Sequence, residues 1–364
     1  MTPDRYRERR AKLVAAVKKA KVEGLLVSHE PNVRYLTGFT GEASQLLIGP
    51  EHSLIISDSR FETQLDQECP GLERVIRTTR TLMVDFVAQT LTDRRVSKVA
   101  IESAATSVAS FNGLKEKVPA VEIVPLDGLV EKLRLLKDKG EIAAIRSAID
   151  LAQKGFQGVQ AMFTPEMTEL QIAHELEHLM RRRGALRAAF EPIVGVGPQS
   201  ALPHYRAGHL RLGSFPFVLI DWGALEPGGY HSDLTRVVAT SKIPPKLEKL
   251  YRVVEKARGA ALSELRPGAA CNVVDAAARK VIADAGFDRY FGHGLGHGVG
   301  LEIHEGPRLS PISEDTLQPG MVVTIEPGIY LPSFGGVRLE DDVLITRDGY
   351  EVLSSLPLQM ESGQ

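Results

Sequence analysis

Five side chains in the second half of the chain have the types that bind divalent metal ions. They are Asp221, Asp233, His297, Glu326 and Glu340. Each carboxylate lies in a predicted strand with apolar neighbours, where an ionised carboxylate is costly to bury unless a cation compensates it, and gathered carboxylates raise one another's pKa. Two divalent ions would solve both problems, because they match the four negative charges that the carboxylates bring beside a neutral imidazole. The pattern therefore predicts a two-metal site.

The histidine belongs to a glycine-rich stretch, residues 291–305, that also contains His293 and His304. Histidine is a common neutral metal ligand and carries protons near pH 7, and glycines let the backbone approach a ligand closely. Taken alone, the stretch could also be a surface loop with incidental histidines, and each carboxylate could be a salt-bridged residue of an edge strand. A nucleotide-binding loop is not indicated, because the strand–turn–helix context is missing.

The elements around these residues predict an α+β domain built on an antiparallel sheet. Strands are predicted at residues 190–197, 215–224, 230–240, 321–330 and 336–346, and helices begin at residues 141 and 169 and cover 246–265 and 272–285. Side chains two positions apart on a strand share a face. Arg338, Glu340 and Asp342 should therefore point one way. Asp341 should point the other way.

The first half of the chain, residues 1–132, alternates predicted strands and helices, which indicates an α/β domain with a mixed sheet. Residues 46–48 and 54–57 flank a turn and predict a hairpin. This half has no glycine-rich phosphate loop, so its local chemistry indicates no function. A charged helical stretch that ends at Gly140 separates it from the second domain, which we expect to cover residues 133–364.

One helix carries a pattern that resembles a zinc-protease motif. Residues 174–178 read His-Glu-Leu-Glu-His, and histidines four positions apart share a helix face. The apolar residues of this helix lie on the other side, which leaves His174 and His178 on a polar face beside three arginines. Because no third ligand is evident, we interpret the pattern as a solvated helix face and keep the zinc site as the alternative.

Composition argues against several classes of function. The chain has 364 residues and a net charge of −2, so charge indicates neither a nucleic-acid partner nor a membrane surface, although the basic first helix leaves a nucleic-acid arm as a minor alternative. Cys69 and Cys271 are too few for a disulfide framework and suit a reducing compartment. No apolar run approaches the roughly 18 residues of a membrane span, and residues 1–24 lack the apolar core of a secretory signal. We therefore expect a cytoplasmic protein.

The motifs around the candidate ligands resemble those of the Xaa-Pro peptidases, aminopeptidase P and prolidase, in the pita-bread metallopeptidase family M24. Here they read Asp221-Trp-Gly-Ala, Tyr230-His-Ser-Asp233-Leu-Thr-Arg236, His293-Gly-Leu-Gly-His297-Gly-Val-Gly-Leu-Glu-Ile-His304-Glu, Thr324-Ile-Glu326-Pro-Gly-Ile-Tyr330 and Gly336-Val-Arg-Leu-Glu340-Asp. Residues 32–39 resemble the smaller domain of the same family. The resemblance implies an N-terminal α/β domain of the creatinase/prolidase type over residues 1–132, followed by a pita-bread catalytic domain.

The resemblance implies a role for each candidate ligand. Asp221 would chelate one metal ion, and Asp233 and Glu340 would bridge the two ions. His297 and Glu326 would bind the second ion, and Glu326 would also act as the general base toward water. The oxygen-rich ligand set favours Mn²⁺, with Co²⁺ or Zn²⁺ as alternatives.

Other residues match the substrate-contacting positions of the family. His204 and His304 would hydrogen-bond the scissile carbonyl and nearby groups. His293 would line the proline pocket, and Arg338 would lie near the far end of the substrate. Tyr330 is expected beside the substrate as well. A purely structural role is the alternative for His204, His293 and Arg338. The resemblance also implies a homodimer in which the N-terminal domain of one protomer lies over the site of its partner.

The main expectation for function is a Xaa-Pro aminopeptidase, which removes the N-terminal residue that precedes proline in a peptide. The alternative is a Xaa-Pro dipeptidase, or prolidase, and a more remote one is a non-catalytic binding protein of the same fold. A metal-free hydrolase such as creatinase is disfavoured, because all five ligands are present. One feature departs from the family: Asp233 follows Asp221 by twelve positions, where eleven are usual. We expect the loop at residues 225–229 to absorb the extra position without turning Asp233 away.

Overall fold

The computed structural model describes residues 3–358 and residue 360 of the chain. The chain forms two compact units, which divide between Arg134 and Leu135. Among the described residues, no helix is both long enough and apolar enough to cross a membrane. All five candidate metal ligands lie in the second unit.

The first unit is built on one mixed sheet of six strands. Its helices are α1 (Pro3–Lys19), α2 (Glu30–Thr37), α3 (Glu62–Glu68), α4 (Met83–Asp93), α5 (Val108–Lys117) and α6 (Glu131–Arg134). Its strands are β1 (Gly24–Val27), β2 (Gln45–Ile48), β3 (Ser53–Asp58), β4 (Glu73–Arg77), β5 (Lys98–Glu102) and β6 (Glu122–Leu126). The strand order is β4-β3-β2-β1-β5-β6, and β2 is antiparallel to both of its neighbours while the other pairs are parallel. The predicted hairpin is confirmed as β2 and β3.

Alternating apolar residues hold this sheet against its helices. Leu47 of β2 and Leu54 and Ile56 of β3 belong to one apolar core with Leu91 of α4 and Leu114 of α5. All five side chains are nearly or fully inaccessible to solvent. Burial of such side chains stabilises a fold by about 1.5–3 kcal/mol each, so this face of the sheet fixes the position of both helices.

The second unit combines four helices with twelve short strands in its described part. The helices are α7 (Lys139–Gln160), α8 (Glu169–Arg182), α9 (Pro245–Glu264) and α10 (Cys271–Asp284). The strands are β7 (Arg187–Ala188), β8 (Ile193–Val196), β9 (Phe217–Trp222), β10 (Ala224–Leu225), β11 (Leu234–Ala239), β12 (Gly296–Gly298), β13 (Glu305–Leu309), β14 (Val322–Ile325), β15 (Gly328–Leu331), β16 (Gly335–Arg338), β17 (Asp341–Ile345) and β18 (Tyr350–Val352).

These strands form separate antiparallel sheets. One has the order β11-β9-β8 and another the order β13-β12-β14-β17-β18, and β10 pairs with β7 and β15 with β16. Helices α9 and α10 share one apolar core with β14 and β17, whereas α7 and α8 share another with β8 and β9. The predicted α+β arrangement around antiparallel strands is confirmed.

Two predicted strands are broken in the structure, and a candidate ligand lies at each break. Residues 321–330 form β14 and β15, separated by Glu326 and Pro327. Proline has no N–H to donate to a strand ladder, so the ladder stops there. Residues 336–346 likewise form β16 and β17 instead of one strand, with Glu340 in the gap.

The prediction that all four carboxylates lie inside strands was therefore wrong. Only Asp221 lies within a strand, and Asp233 precedes β11 by one residue. A residue at a strand end is not held by the hydrogen bonds of the sheet. Its side chain can therefore point in a direction that the regular strand would not allow. The breaks let carboxylates from several strands converge.

Helix α8 begins at a capping box, in which Thr168 and Gln171 exchange side-chain and backbone hydrogen bonds. Its His174 and His178 are exposed. In the described part of the chain, neither histidine belongs to a group of three side chains close enough to hold a metal ion. The structure therefore agrees with the interpretation of a solvated helix face rather than a zinc site.

Candidate metal centre and active site

The structure brings the five candidate ligands to one cavity of about 500 Å³. They are Asp221, Asp233, His297, Glu326 and Glu340. Three of them, Asp233, His297 and Glu340, each offer a ligand atom that lies within 4.8 Å of the others. Side chains in or beside five different strands, spread from residue 221 to residue 340, therefore meet in one place.

The pairing of β9 with β11 places the first two carboxylates. Asp221 of β9 lies opposite Thr235 of β11, and Trp222 next to it donates its indole N–H to the carbonyl of Ala152 in α7 at 3.0 Å. The Thr235 hydroxyl donates to Glu340 Oε2 at 2.6 Å, so the same threonine that faces Asp221 also orients Glu340.

A tight turn connects β10 to β11 between Asp221 and Asp233. The Glu226 N–H donates to the Tyr230 carbonyl, and Gly229 adopts a φ of 92°, which favours glycine. Asp233 Oδ2 lies 3.5 Å from His297 Nε2. The Asp233 carboxylate therefore faces the cluster, as expected from the sequence.

The orientation of His297 suits the binding of a cation. Its Nδ1 lies 3.0 Å from the Gly298 carbonyl and must donate to it, so the neutral ring carries its lone pair on Nε2. That nitrogen lies 3.5 Å from Asp233 Oδ2 and 3.4 Å from Glu326 Oε1. Burial lowers the pKa of His297 to about 3, which keeps the ring neutral near pH 7. A lone pair that faces two carboxylates is repelled by them unless a cation lies between.

The raised pKa values of the carboxylates also indicate that the cluster suits a cation. Burial, with Glu340 as the next contribution, raises the pKa of Asp233 well above its usual range. Burial also raises the pKa of Glu340 strongly and that of Glu326 to about 8. For Asp221, burial raises the pKa while Arg338 opposes the shift, and Asp221 Oδ1 is buried without a hydrogen-bond partner in the described chain. This set of ligand atoms therefore fits divalent cations. Such ions would reduce the repulsion among the carboxylates and would bind the Asp221 oxygen that has no hydrogen-bond partner in the described chain.

A chain of hydrogen bonds runs along one side of the cluster. Arg338 Nη1 donates to the Tyr330 hydroxyl at 2.8 Å, and that hydroxyl lies 2.9 Å from His293 Nε2. His293 Nδ1 lies 2.8 Å from the Gly294 carbonyl, which makes Nδ1 the donor and leaves Nε2 to accept from the tyrosine. Burial, followed by the charge of Arg338, lowers the pKa of His293 to about 4. His293 is therefore a neutral wall of the cavity near pH 7.

The other two predicted histidines lie at the open side of the same cavity. His204 and His304 are both exposed and both line it. The ring centroid of His304 lies 4.4 Å from that of His297, with the ring planes at 75°. Burial, then the charge of Arg308, lowers the pKa of His304. Both imidazoles can therefore reach a molecule bound against the carboxylate cluster.

Two arginines and an acid at the opening of the cavity were not predicted from the sequence. Arg206, Arg308 and Glu191 are exposed and line the cavity. A signal for Arg308 was present, because His304 and Arg308 are four positions apart on either side of the start of β13, and alternate residues of an extended chain share a face. No comparable local pattern marks Glu191.

The support behind the cluster follows the predicted strand alternation. Glu340 and Asp342 turn toward the cluster, where Asp342 Oδ2 accepts the N–H of Asp233 at 3.0 Å. Asp341 turns away and is buried between Arg236 and Arg258, at 2.7 Å and 2.5 Å respectively. The prediction that Asp341 points opposite to its neighbours is confirmed by these contacts.

Arg236 ties this region to the last part of the described chain. Its guanidinium donates to the backbone carbonyls of Glu340, Leu356 and Pro357 at 2.7, 3.0 and 3.1 Å. The side chain of Arg236 is almost completely buried. The backbone at a candidate ligand and the segment near residue 356 therefore share one buried cation.

Two family models match the chain. Residues 143–347 match the description "Metallopeptidase family M24", and residues 9–136 match "Creatinase/Prolidase N-terminal domain". Together they cover most of the chain, and each lies almost entirely within one of the two units.

Individual proteins are similar over nearly the full length. A Xaa-Pro dipeptidase of Pyrococcus horikoshii is 35% identical over 96% of this chain and 98% of its own. The solved structure of a Xaa-Pro dipeptidase from Bacillus anthracis has a TM-score of 0.92 at 36% identity and covers 98% of this chain and 99% of that one. That of an X-Pro aminopeptidase from Thermotoga maritima has a TM-score of 0.86 at 32% identity, with 94% and 99% covered.

These similarities confirm the fold class expected from the sequence. A mixed-sheet domain of the creatinase/prolidase N-terminal type is followed by a catalytic domain of the pita-bread type.

Proposed function

The chain belongs to metallopeptidase family M24, and we propose that it hydrolyses the bond between an N-terminal residue and proline, as a Xaa-Pro dipeptidase. The observation that carries the proposal is the cluster of four carboxylates and the His297 lone pair at one 500 Å³ cavity. A cavity of this size suits a dipeptide or a short peptide. The cluster supplies the ligands, and the histidines and arginines around it supply contacts for the substrate.

We assign the five clustered side chains to two divalent metal ions. Asp221, Asp233, His297, Glu326 and Glu340 would hold them, with Asp233 and Glu340 shared between the two. Mn²⁺ suits such an oxygen-rich set, and Co²⁺ or Zn²⁺ are the alternatives. Bound divalent ions supply Lewis-acid chemistry, which lowers the pKa of a water molecule and stabilises negative charge on a peptide oxygen.

In this proposal, Glu326 transfers the proton. The Thr324 hydroxyl donates to Glu326 Oε1 at 3.2 Å and orients the carboxylate. Glu326 would take a proton from the attacking water and pass it to the nitrogen of the leaving proline. That nitrogen needs the proton, because without it the C–N bond would break to give an amine anion instead of a neutral amine.

His204 and His304 would donate hydrogen bonds to the scissile carbonyl and its neighbour. Donors that face developing negative charge act most strongly in the transition state, so their contribution is expected in turnover. The neutral His293, held by Tyr330, would form a wall of the proline pocket. Apolar neighbours of the cavity such as Ile193 and Ile303 complete a surface that suits an uncharged ring.

The free carboxylate of a dipeptide needs a cation at the far end of the cavity. Arg338 is a poor candidate, because three of its donors are already used by Asp221, Tyr330 and Thr235. Arg308 is exposed and lines the cavity, so we assign the carboxylate contact to Arg308. A dipeptide presents this carboxylate directly after proline.

The relatives also favour the dipeptidase over the aminopeptidase that the sequence analysis placed first. Two of the three similar proteins described above are named Xaa-Pro dipeptidases. The second candidate remains a Xaa-Pro aminopeptidase, because the third of these similar proteins is named an X-Pro aminopeptidase.

A homodimer and a cytoplasmic location are further parts of the proposal. The location is supported by two buried cysteines without a disulfide, Cys69 and Cys271.

The test is hydrolysis of Ala-Pro beside Ala-Pro-Ala after chelation and again with Mn²⁺ restored. We expect metal-dependent cleavage of Ala-Pro and much weaker cleavage of the tripeptide. Efficient cleavage of the tripeptide at its first bond would make the protein an aminopeptidase. Cleavage of neither substrate, with two metal ions bound, would refute both specificities. A protein that binds no metal and cleaves neither would be the non-catalytic binding protein.

A further inference from the structure

We propose that a buried ion pair, Lys137 with Glu305, positions His304 for its hydrogen bond to the substrate. The proposal rests on the proposed function, since that function gives His304 its role. Neither Lys137 nor Glu305 lines the cavity. Both are therefore positioning residues, which act through the histidine next to Glu305.

The pair is almost completely removed from solvent. Lys137 Nζ lies 3.1 Å from Glu305 Oε2, and the exposed fractions of the two side chains are 1% and 6%. A buried ion pair stabilises a fold little, because the loss of hydration offsets the attraction, but removal of one partner leaves an uncompensated charge. The contact therefore acts mainly by fixing where the Glu305 carboxylate can be.

The Glu305 carboxylate also closes the short segment that presents His304. Its second oxygen, Oε1, accepts the backbone N–H of Glu302 at 3.0 Å. One carboxylate thus holds both ends of the segment from residue 302 to residue 305, with the histidine inside it. A Cβ at Gly300 would lie 2.7 Å from both carboxylate oxygens, so a side chain there would displace the carboxylate.

The backbone on either side of the Lys137 side chain is also held by hydrogen bonds. The Lys137 N–H donates to the Gly320 carbonyl at 2.8 Å. The next residue, Asp138, is the N-cap of α7 and accepts the N–H groups of Gly140 and Glu141 at 3.0 Å each. Lys137 therefore projects from the rigid beginning of a 22-residue helix, and little freedom remains for the ammonium to follow a displaced carboxylate.

A second contact limits how the segment can move. The backbone N–H of His231 donates to the Gly300 carbonyl at 2.8 Å, and His231 Nδ1 lies 3.1 Å from the same oxygen. The backbone at residue 300 is thus held from the side of Asp233, and the backbone at 302–305 is held by the ion pair. Without Lys137 the Glu305 carboxylate would lose its buried cationic partner, and it would rotate toward water, which takes the Glu302 N–H and the backbone of His304 with it.

The experiment compares Lys137→Met, Glu305→Gln and the double variant, each loaded with Mn²⁺. We expect kcat for Ala-Pro to fall about 10- to 100-fold in each single variant, with two metal ions still bound, and the double variant to be no slower than the slower single one. Hydrogen exchange at the Glu302 amide should become faster in Lys137→Met. This second readout does not depend on activity.

A matched control separates positioning from general loss of stability. Leu250→Ala removes a fully buried side chain of α9, and it should lower the Tm while kcat stays within about twofold and exchange at Glu302 is unchanged. Wild-type kcat and unchanged Glu302 exchange in both single variants would overturn the proposal. If wild-type protein with metal cleaves no Xaa-Pro peptide, the proposed function fails, and faster exchange at Glu302 in Lys137→Met would still establish the structural part. If Lys137→Met does not fold, the milder Glu305→Gln alone decides the outcome.

Discussion

Arg338 donates through Nη2 to Asp221 Oδ2 at 2.5 Å, although 117 positions separate the two residues. Both side chains line the cavity, so a permanent cation lies among the carboxylates that we assign to the metal ions. Burial raises the pKa of Asp221, and the charge of Arg338 opposes that rise. In the metal-free protein this contact compensates part of the negative charge of the cluster.

Loss of that cation should therefore matter most when no metal is bound. In Arg338→Met we expect the free energy of unfolding of the metal-free protein to fall by about 3 kcal/mol, since a buried carboxylate loses its partner. With saturating Mn²⁺ the loss should be clearly smaller. Urea denaturation with and without metal measures the difference. Arg146→Met, which breaks an exposed pair with Glu351, is the control and should change stability by less than about 1 kcal/mol. Equal losses for Arg338→Met in both conditions would argue against a shared role with the metal.

The two carboxylates assigned to both metal ions should control metal content. In Asp233→Asn and Glu340→Gln we expect fewer than two bound ions and activity lowered by more than the roughly 100-fold typical of outer contacts. Elemental analysis after dialysis against Mn²⁺ gives the stoichiometry. Glu351→Gln, at an exposed site, should keep two ions. Two ions retained in either cluster variant would contradict the assignment.

The histidines at the cavity opening should affect turnover without affecting the metal. For His204→Ala and His304→Ala we expect kcat to fall about 100-fold, as when one donor to developing negative charge is removed, with two ions still bound. Steady-state kinetics and metal analysis on the same samples test this. His174→Ala and His178→Ala, on the exposed face of α8, should leave activity intact. Activity lost in those two variants would revive the zinc-site alternative.

The raised pKa of Glu326 makes the stability of the metal-free protein depend on pH. Burial raises that pKa from 4.5 to about 8, so the folded state binds this proton more tightly than the unfolded chain does. The contribution of Glu326 to stability should therefore decline as pH rises from about 4.5 to about 8. We expect metal-free wild type to lose stability relative to Glu326→Gln across this range. Thermal unfolding of both proteins at several pH values is the measurement, and a constant difference between them would refute the shift.

Arg308 should distinguish substrates by their carboxylate. In Arg308→Met we expect KM for Ala-Pro to rise about tenfold, because a charge-assisted hydrogen bond at an exposed site is lost. KM for Ala-Pro amide, which lacks the carboxylate, should hardly change. Kinetics with both substrates decide the matter. An equal rise in KM for the two would show that Arg308 contacts another part of the substrate.

The sequence predicted the members of the cluster of carboxylates and His297 better than the backbone that positions them. The five clustered side chains could be predicted because their types, order and motifs are local properties of the chain. The strand breaks at Glu326 and Glu340 were not predicted, although Pro327 carries a local signal for the first of them. Apolar periodicity continues through both breaks and hides them.

Contacts between segments that are distant in the chain could not be predicted from local sequence patterns. Lys137 meets Glu305 across 168 positions, and nothing near either residue marks the other as a partner. Arg308 could have been predicted from its spacing to His304. The hydrogen bonds from Arg338 to Asp221, Tyr330 and Thr235 depend on the register of four strands, which alternation alone does not determine.

The contacts of Arg236 have a practical consequence for work with this protein. The carbonyls of Leu356 and Pro357 accept from a guanidinium that also holds the backbone of Glu340. Truncation before residue 356 would remove two acceptors from a buried cation and loosen the backbone at Glu340, which we assign to the metal ions. An affinity tag fused directly after Pro357 would pull on the same contacts. Expression vectors should therefore retain the natural sequence through this segment and carry any C-terminal fusion on a flexible linker beyond it.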